Sequence, residues 1–134
     1  MKARSAVMYV SFGVATMAAS LWIAPYLAAD ESPLQEAPAS AAAMANPYRG
    51  KSDAAASGKK LYGQNCAQCH GANLQGIGPA PALDSPAVKT AKPGELFWFI
   101  STGKVSSGMP SWSNLPKVQR WQIVTFLQSK TTAK

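Results

Sequence analysis

Five consecutive residues constrain this chain more than anything else in it: Cys66-Ala67-Gln68-Cys69-His70. The chain has two cysteines and one histidine, and all three stand here. Thiols two residues apart, followed at once by an imidazole, serve several chemistries, and each needs different company. A zinc site wants four ligands, so this set is one short. A dithiol redox site uses Cys-x-x-Cys at a helix start after a strand; the segment before Cys66 reads as helix. A disulfide across two residues would be strained and has no use for His70.

One chemistry uses the whole string. Cys-x-x-Cys-His is the attachment signature of a c-type haem. One turn of helix places the two sulfurs where the two vinyl groups on one porphyrin edge lie. The next residue then projects its imidazole at the iron, and its second ring nitrogen can donate to a backbone carbonyl. We therefore expect one covalently bound haem c, attached through Cys66 and Cys69 and ligated by His70.

The sixth ligand has to come from elsewhere. With a single histidine, a bis-histidine site is excluded. Of five methionines, Met1, Met8 and Met17 lie in the N-terminal segment and Met44 in the stretch that follows it. Met109 is the one that follows His70, in Ser107-Gly108-Met109-Pro110. Glycine lets the backbone approach closely and proline stiffens the other side. Met109 as core filler is the competing reading. A thioether ligand favours ferrous iron and raises the potential. A filled sixth site suits a one-electron carrier, not an enzyme; no paired carboxylates or second histidine stand ready to assist catalysis.

The N-terminus bears on where this happens. Lys2 and Arg4 precede an apolar run over residues 6–29, and Asp30 and Glu31 follow. Such a run spans on the order of 36 Å at 1.5 Å per residue, against roughly 30 Å of bilayer hydrocarbon. The charge order puts the rest of the chain outside the cytoplasm. We expect residues 1–29 to be an uncleaved single-span anchor, with a cleaved signal peptide as the alternative. Residues 30–50, rich in Ala, Pro and Ser, read as a flexible linker. Residues 51–134 are left as the globular domain, on the periplasmic side of a bacterial inner membrane, or soluble in the periplasm after cleavage.

The formal net charge is +7. From residue 46 onward, eleven lysines and arginines stand against Asp53, Asp84 and Glu95. A basic surface steers encounter with acidic partners. Export argues for acidic redox proteins and against nucleic acid.

The domain reads as all-α. Ser52 or Asp53 can cap a helix to about Cys69, with Gly58 and Tyr62 on one face. Pro93-Gly94-Glu95 opens a second helix, apolar nearly all round and ended by Gly103. A last helix opens near Pro116 and runs to about Ser129, with Val118, Trp121, Val124 and Leu127 as its stripe. That stripe is expected to meet the Gly58/Tyr62 face. Between His70 and the second helix, Gly76 to Leu83 reads as loop. Pro79 and Leu83 are expected beside the haem, with the Pro79 carbonyl accepting from His70.

Gly58-x-x-x-Tyr62, the Cys66–His70 string, Gly78-Pro79 with Leu83, and Gly108-Met109-Pro110 together resemble class I cytochromes c over nearly the whole globular part. The resemblance implies three or more helices round one haem, with first and last helices crossing and one haem edge exposed. It implies haem-binding roles for Cys66, Cys69, His70 and Met109. A narrower likeness rests on Asn46-Pro47-Tyr48-Arg49-Gly50, Pro93-Gly94-Glu95-Leu96-Phe97-Trp98, Met109-Pro110-Ser111-Trp112 and Gln119-Arg120-Trp121-Gln122-Ile123-Val124. These look like periplasmic cytochromes that accompany quinoprotein dehydrogenases. That implies such a dehydrogenase as electron donor and a terminal oxidase as acceptor. Two other roles stand beside the shuttle: a haem-bearing subunit of a larger membrane oxidoreductase complex, and a sensor that binds a small ligand at iron.

Overall fold

A computed structural model describes residues 33–131. Helix α1 spans Ala39–Ala42, α2 Ser52–Asn65, α3 Ala67–His70, α4 Pro86–Thr90, α5 Pro93–Thr102 and α6 Lys117–Thr131, with 3-10 turns at Pro33–Glu36 and Val105–Ser107. No strand occurs among the described residues; two isolated bridges, Ile77 with Ala80 and Lys104 with Met109, are the extended pairings. The fold is all-α, as expected.

Helices α2 and α6 carry the architecture. Gly58 lies on α2 where a Cβ would come within 1.9 Å of the Gln122 carbonyl oxygen and 3.0 Å of Phe126 Cβ. The two backbones touch there because neither side chain intervenes. One turn on, Tyr62 packs on Phe126, ring centroids 5.3 Å apart. The crossing is the expected one, with Gln122 and Phe126 opposite Gly58; of the expected stripe, Trp121, Val124 and Leu127 are buried and Val118 is not. Val118 is 48% exposed. The middle of α6 is buried on several sides: Trp121, Ile123, Val124, Thr125, Phe126 and Leu127 all lie in the interior. A helix covered this widely has no single stripe to read from spacing.

Helix α5 packs on another side of α6. Phe97 stacks on Trp121 with centroids 4.2 Å apart and planes 17° from parallel. Offset rings of this kind contribute about 0.5–1.5 kcal/mol beyond the area they bury. Leu96, Phe99 and Ile100 are also buried. Pro93 opens α5, and the Glu95 carboxylate accepts from the Lys92 N–H at 2.8 Å, half of a capping box. Gly103, at φ 68°, ends it in a conformation other residues rarely adopt.

Helix α2 differs from expectation at both ends. Lys51 takes the cap position with no side-chain hydrogen bond, so Ser52 is helical rather than capping. Cys66 then leaves helical geometry, and α3 continues as a separate turn.

The segment expected as a flexible linker is, from Pro33 on, a strap folded on the domain. Ala41 is buried, and its carbonyl sits where a Cβ on Gly94 would fall, 1.8 Å away. Asn46 is buried as well, its amide donating to Thr125 Oγ1 at 3.0 Å and Gln128 Oε1 at 3.3 Å. Its carbonyl oxygen accepts from the Tyr48 N–H at 2.9 Å. Glu36 pairs with Lys104. Small residues and single polar anchors hold the strap, which is why no apolar periodicity announces it. No helix among the described residues is long and apolar enough to cross a membrane. The anchor expected over residues 6–29 lies outside the described residues.

Candidate haem site

The motif hangs from the end of α2. Cys66 N–H donates to the Tyr62 carbonyl at 2.8 Å, and His70 N–H donates to the Cys66 carbonyl at 2.9 Å. Tyr62 in turn donates its hydroxyl to the Gly71 carbonyl at 2.6 Å, closing a loop around the whole motif. Burial pushes the Tyr62 hydroxyl up to about 12, with Cys66 adding to it.

His70 is oriented by a backbone carbonyl. Its Nδ1–H donates to the Pro81 carbonyl at 2.9 Å, which leaves Nε2 as the ring's ligand atom. The acceptor expected at Pro79 is therefore Pro81. The bridge of Ile77 with Ala80 makes a tight turn, closed by Ala80 N–H to the Ile77 carbonyl at 3.1 Å. That turn carries Pro79 on its exposed tip, and the chain returns to His70 two residues later. Leu74 holds the loop in place. It is buried at φ 66°, an uncommon conformation for leucine, and its carbonyl accepts from Leu83 N–H at 2.7 Å. Leu83 is half-buried against the core, as are Cys66, Ala67 and Trp112.

The two cysteines are free thiols; Cys66 is half-buried and Cys69 exposed. Burial, and then the neighbouring Cys69, pushes the Cys66 thiol up to about 11. A dithiol redox centre needs its attacking thiol lowered instead. Among the described residues, no three His, Cys, Asp or Glu side chains converge as a metal site. Cys66, Cys69 and His70 thus do not close round one ion as zinc ligands would. An apolar ring held by two thiols and one imidazole fits them: the donors are adjacent, His70 is already aimed, and part-covered apolar side chains fringe the site.

Met109 stands on a different element. Gly108, at φ 82°, turns the chain after the 3-10 turn Val105–Ser107, and Met109 follows, half-buried. An open cleft lined by Met44, Tyr48, Lys117, Val118 and Trp121, among others, includes none of the expected site residues.

A family model described as "Cytochrome C oxidase, cbb3-type, subunit III" matches residues 53–127, more than half of the chain. The chain belongs to this family of cytochrome c domains. No match was found among curated proteins. The matched span of this cytochrome c domain begins in the first turn of α2 and ends inside α6, so it takes in both crossing helices and everything between them. A cytochrome c domain of this family binds haem c and works by haem-based electron transfer.

Several residues that shape the site are not legible in the sequence alone. Pro81 could have been found only from the register of the 77–80 turn. Ser101, Ser111 and Arg120, which tie the Met109 segment to two helices, carry no signal in spacing or composition.

Proposed function

We propose that this cytochrome c domain carries single electrons through one haem c attached by thioether bonds to Cys66 and Cys69, with His70 and Met109 as its axial ligands. The observation that carries the reading is the His70–Pro81 hydrogen bond within a Cys-x-x-Cys-His turn, which holds an imidazole ready for iron. Bound haem supplies an iron that changes by one electron. The chain's own part is to hold it. Cys66 and Cys69 would hold it by thioether bonds, each thiol adding across a vinyl group with its hydrogen going to the other vinyl carbon, so nothing is oxidised. His70 would supply Nε2, Met109 its thioether, and Leu83 apolar cover. A filled sixth site limits reorganisation when the electron moves.

The site of action in this reading is the periplasmic side of a bacterial inner membrane, with residues 6–29 as anchor or cleaved leader. Its partners are acidic redox proteins, a quinoprotein dehydrogenase as donor and a terminal oxidase as acceptor. The +7 formal charge supports acidic partners. A second reading, a haem-bearing subunit of a larger membrane oxidoreductase complex, is favoured by the family's own description as an oxidase subunit.

The chain is to be expressed with haem-attachment machinery and its haem assayed after denaturation and acid-acetone extraction. Haem that stays with the parent chain but is extracted from a Cys66→Ala/Cys69→Ala variant supports covalent attachment. Haem extracted from both refutes it. Isolation from membranes at native abundance separates the two roles: a monomer supports the shuttle, and stable co-purification with other chains supports the subunit.

A further inference from the structure

Arg120, half-buried on α6, holds three elements at once. Its guanidinium lies over the Phe97 ring at 4.8 Å. Its Nε donates to the Leu115 carbonyl at 3.1 Å, and Nη1 donates to Ser101 Oγ. Ser101 is in the last turn of α5, where the final carbonyls have no helical partners. Those carbonyls are taken up by the segment that follows Met109. The Ser101 carbonyl accepts from the Ser111 hydroxyl at 2.6 Å, and the Ile100 carbonyl accepts from the Trp112 N–H at 3.0 Å. Gly103 lies flush on the same segment: a Cβ there would come within 2.5 Å of the Pro110 carbonyl group. Residues 110–112 therefore hang on the end of α5, and Arg120 fixes that end to α6. A cation is also favoured at a helix C-terminus by the aligned peptide dipoles.

We propose that Arg120 is a positioning residue for Met109: by locking the last turn of α5 to α6, it holds closed the segment that presents the thioether to iron. This rests on the reading of Met109 as an axial ligand. Lysine cannot replace it, because a single ammonium lacks the planar fork that reaches Leu115 and Ser101 together while stacking on Phe97.

The test uses ferric holoprotein and free imidazole, which reaches iron only when Met109 leaves. Arg120→Gln is expected to bind imidazole on the order of tenfold more tightly, the equivalent of about 1.4 kcal/mol. Arg120→Lys should recover little of the difference. Asn46→Ala, which loosens the strap instead, is the control for general loss of stability and should keep the parent affinity. Unchanged affinity in Arg120→Gln, or equal tightening in Asn46→Ala, overturns the proposal. Should Arg120→Gln yield no holoprotein, Ser111→Ala cuts the same link one step nearer Met109; tightening there supports the proposal and its absence overturns it. The ligation reading has its own readout. A parent without a sulfur-to-iron absorption band would remove Met109 as ligand, and this inference with it; a parent with the band but no response in the variants would remove the inference alone.

Discussion

Met109 and Lys104 exchange both of their backbone hydrogen bonds: Lys104 N–H donates to the Met109 carbonyl at 2.9 Å, and Met109 N–H donates back at 3.1 Å. The position of Met109 is thus set by its main chain, independently of its side chain. Truncating the side chain should leave the segment folded and remove only the thioether. Met109→Ala is expected to keep the helical far-ultraviolet spectrum of the parent, lose the sulfur-to-iron band entirely, turn high-spin, and bind carbon monoxide when reduced, without denaturant. Low-spin ferric and ferrous spectra unchanged by the substitution would show that another group ligates the iron.

Two glycines on α2 should respond oppositely to the same change. A Cβ on Gly58 would collide with the Gln122 backbone, so Gly58→Ala must push α2 and α6 apart. Overpacking of this kind costs about 1–3 kcal/mol, or a fall of roughly 5–20 °C in Tm for a domain of this size. Gly63 has nothing within 4 Å of the same position. Gly63→Ala should gain up to about 1 kcal/mol from helix propensity alone. Thermal unfolding of the two holoproteins compares them directly.

Tyr62→Phe removes the hydroxyl that closes the motif onto the Gly71 carbonyl. A lost hydrogen bond with its acceptor left buried costs about 1–3 kcal/mol. The same hydroxyl governs alkaline behaviour. Its folded value, pushed up to about 12 chiefly by burial, lies above the ordinary 10 of the unfolded chain. The fold therefore favours the protonated form; that contribution is complete below about pH 10 and is lost as pH rises towards 12. Burial persists once Cys66 is alkylated, so the holoprotein should show the decline. Denaturation midpoints measured across this range should fall in the parent and fall less in Tyr62→Phe.

The strap can be released at one residue. Asn46 is buried, and its amide serves Thr125, Gln128 and the Tyr48 N–H together. Asn46→Ala should cost about 1–3 kcal/mol and make residues 33–50 markedly more sensitive to limited proteolysis, with the site's absorption spectrum unchanged. The Glu36–Lys104 pair, by contrast, lies at the surface, with Glu36 exposed and Lys104 half-buried. Pairs of that kind contribute only about 0–1 kcal/mol, so Glu36→Gln should scarcely shift the midpoint.

What could be read in advance followed the range of the interaction that encodes it. The Cys66–His70 string is legible because its chemistry is set within one turn of chain. The ends of α5 are legible because Pro93 and Gly103 act on their own backbone. The close approach at Gly58 is legible as a missing side chain, although not the identity of Gln122 opposite it. The carbonyl that serves His70 was misplaced by two residues, since the 77–80 turn decides it and several turns suit Gly76 to Pro81 equally well. The strap was missed because Ala41 and Asn46 each act alone: one fits against Gly94, the other reaches Thr125, and neither belongs to a pattern. Val118 was assigned to the interior on a three-residue rhythm that α6, enclosed from several directions, does not need.

The contact between residue 58 and residue 122 turns the intervening chain into a ring closed by two touching backbones. Within such a ring, lengthening an exposed turn is inexpensive; doubling a loop costs only about 0.6 kcal/mol in closure entropy. The exposed tip at residues 77–80, fastened behind by Leu74 and Pro81, is thus a place where the chain can gain or lose residues without disturbing the crossing that holds the ring shut. The length of that tip can accordingly vary separately from the residues that keep the domain folded.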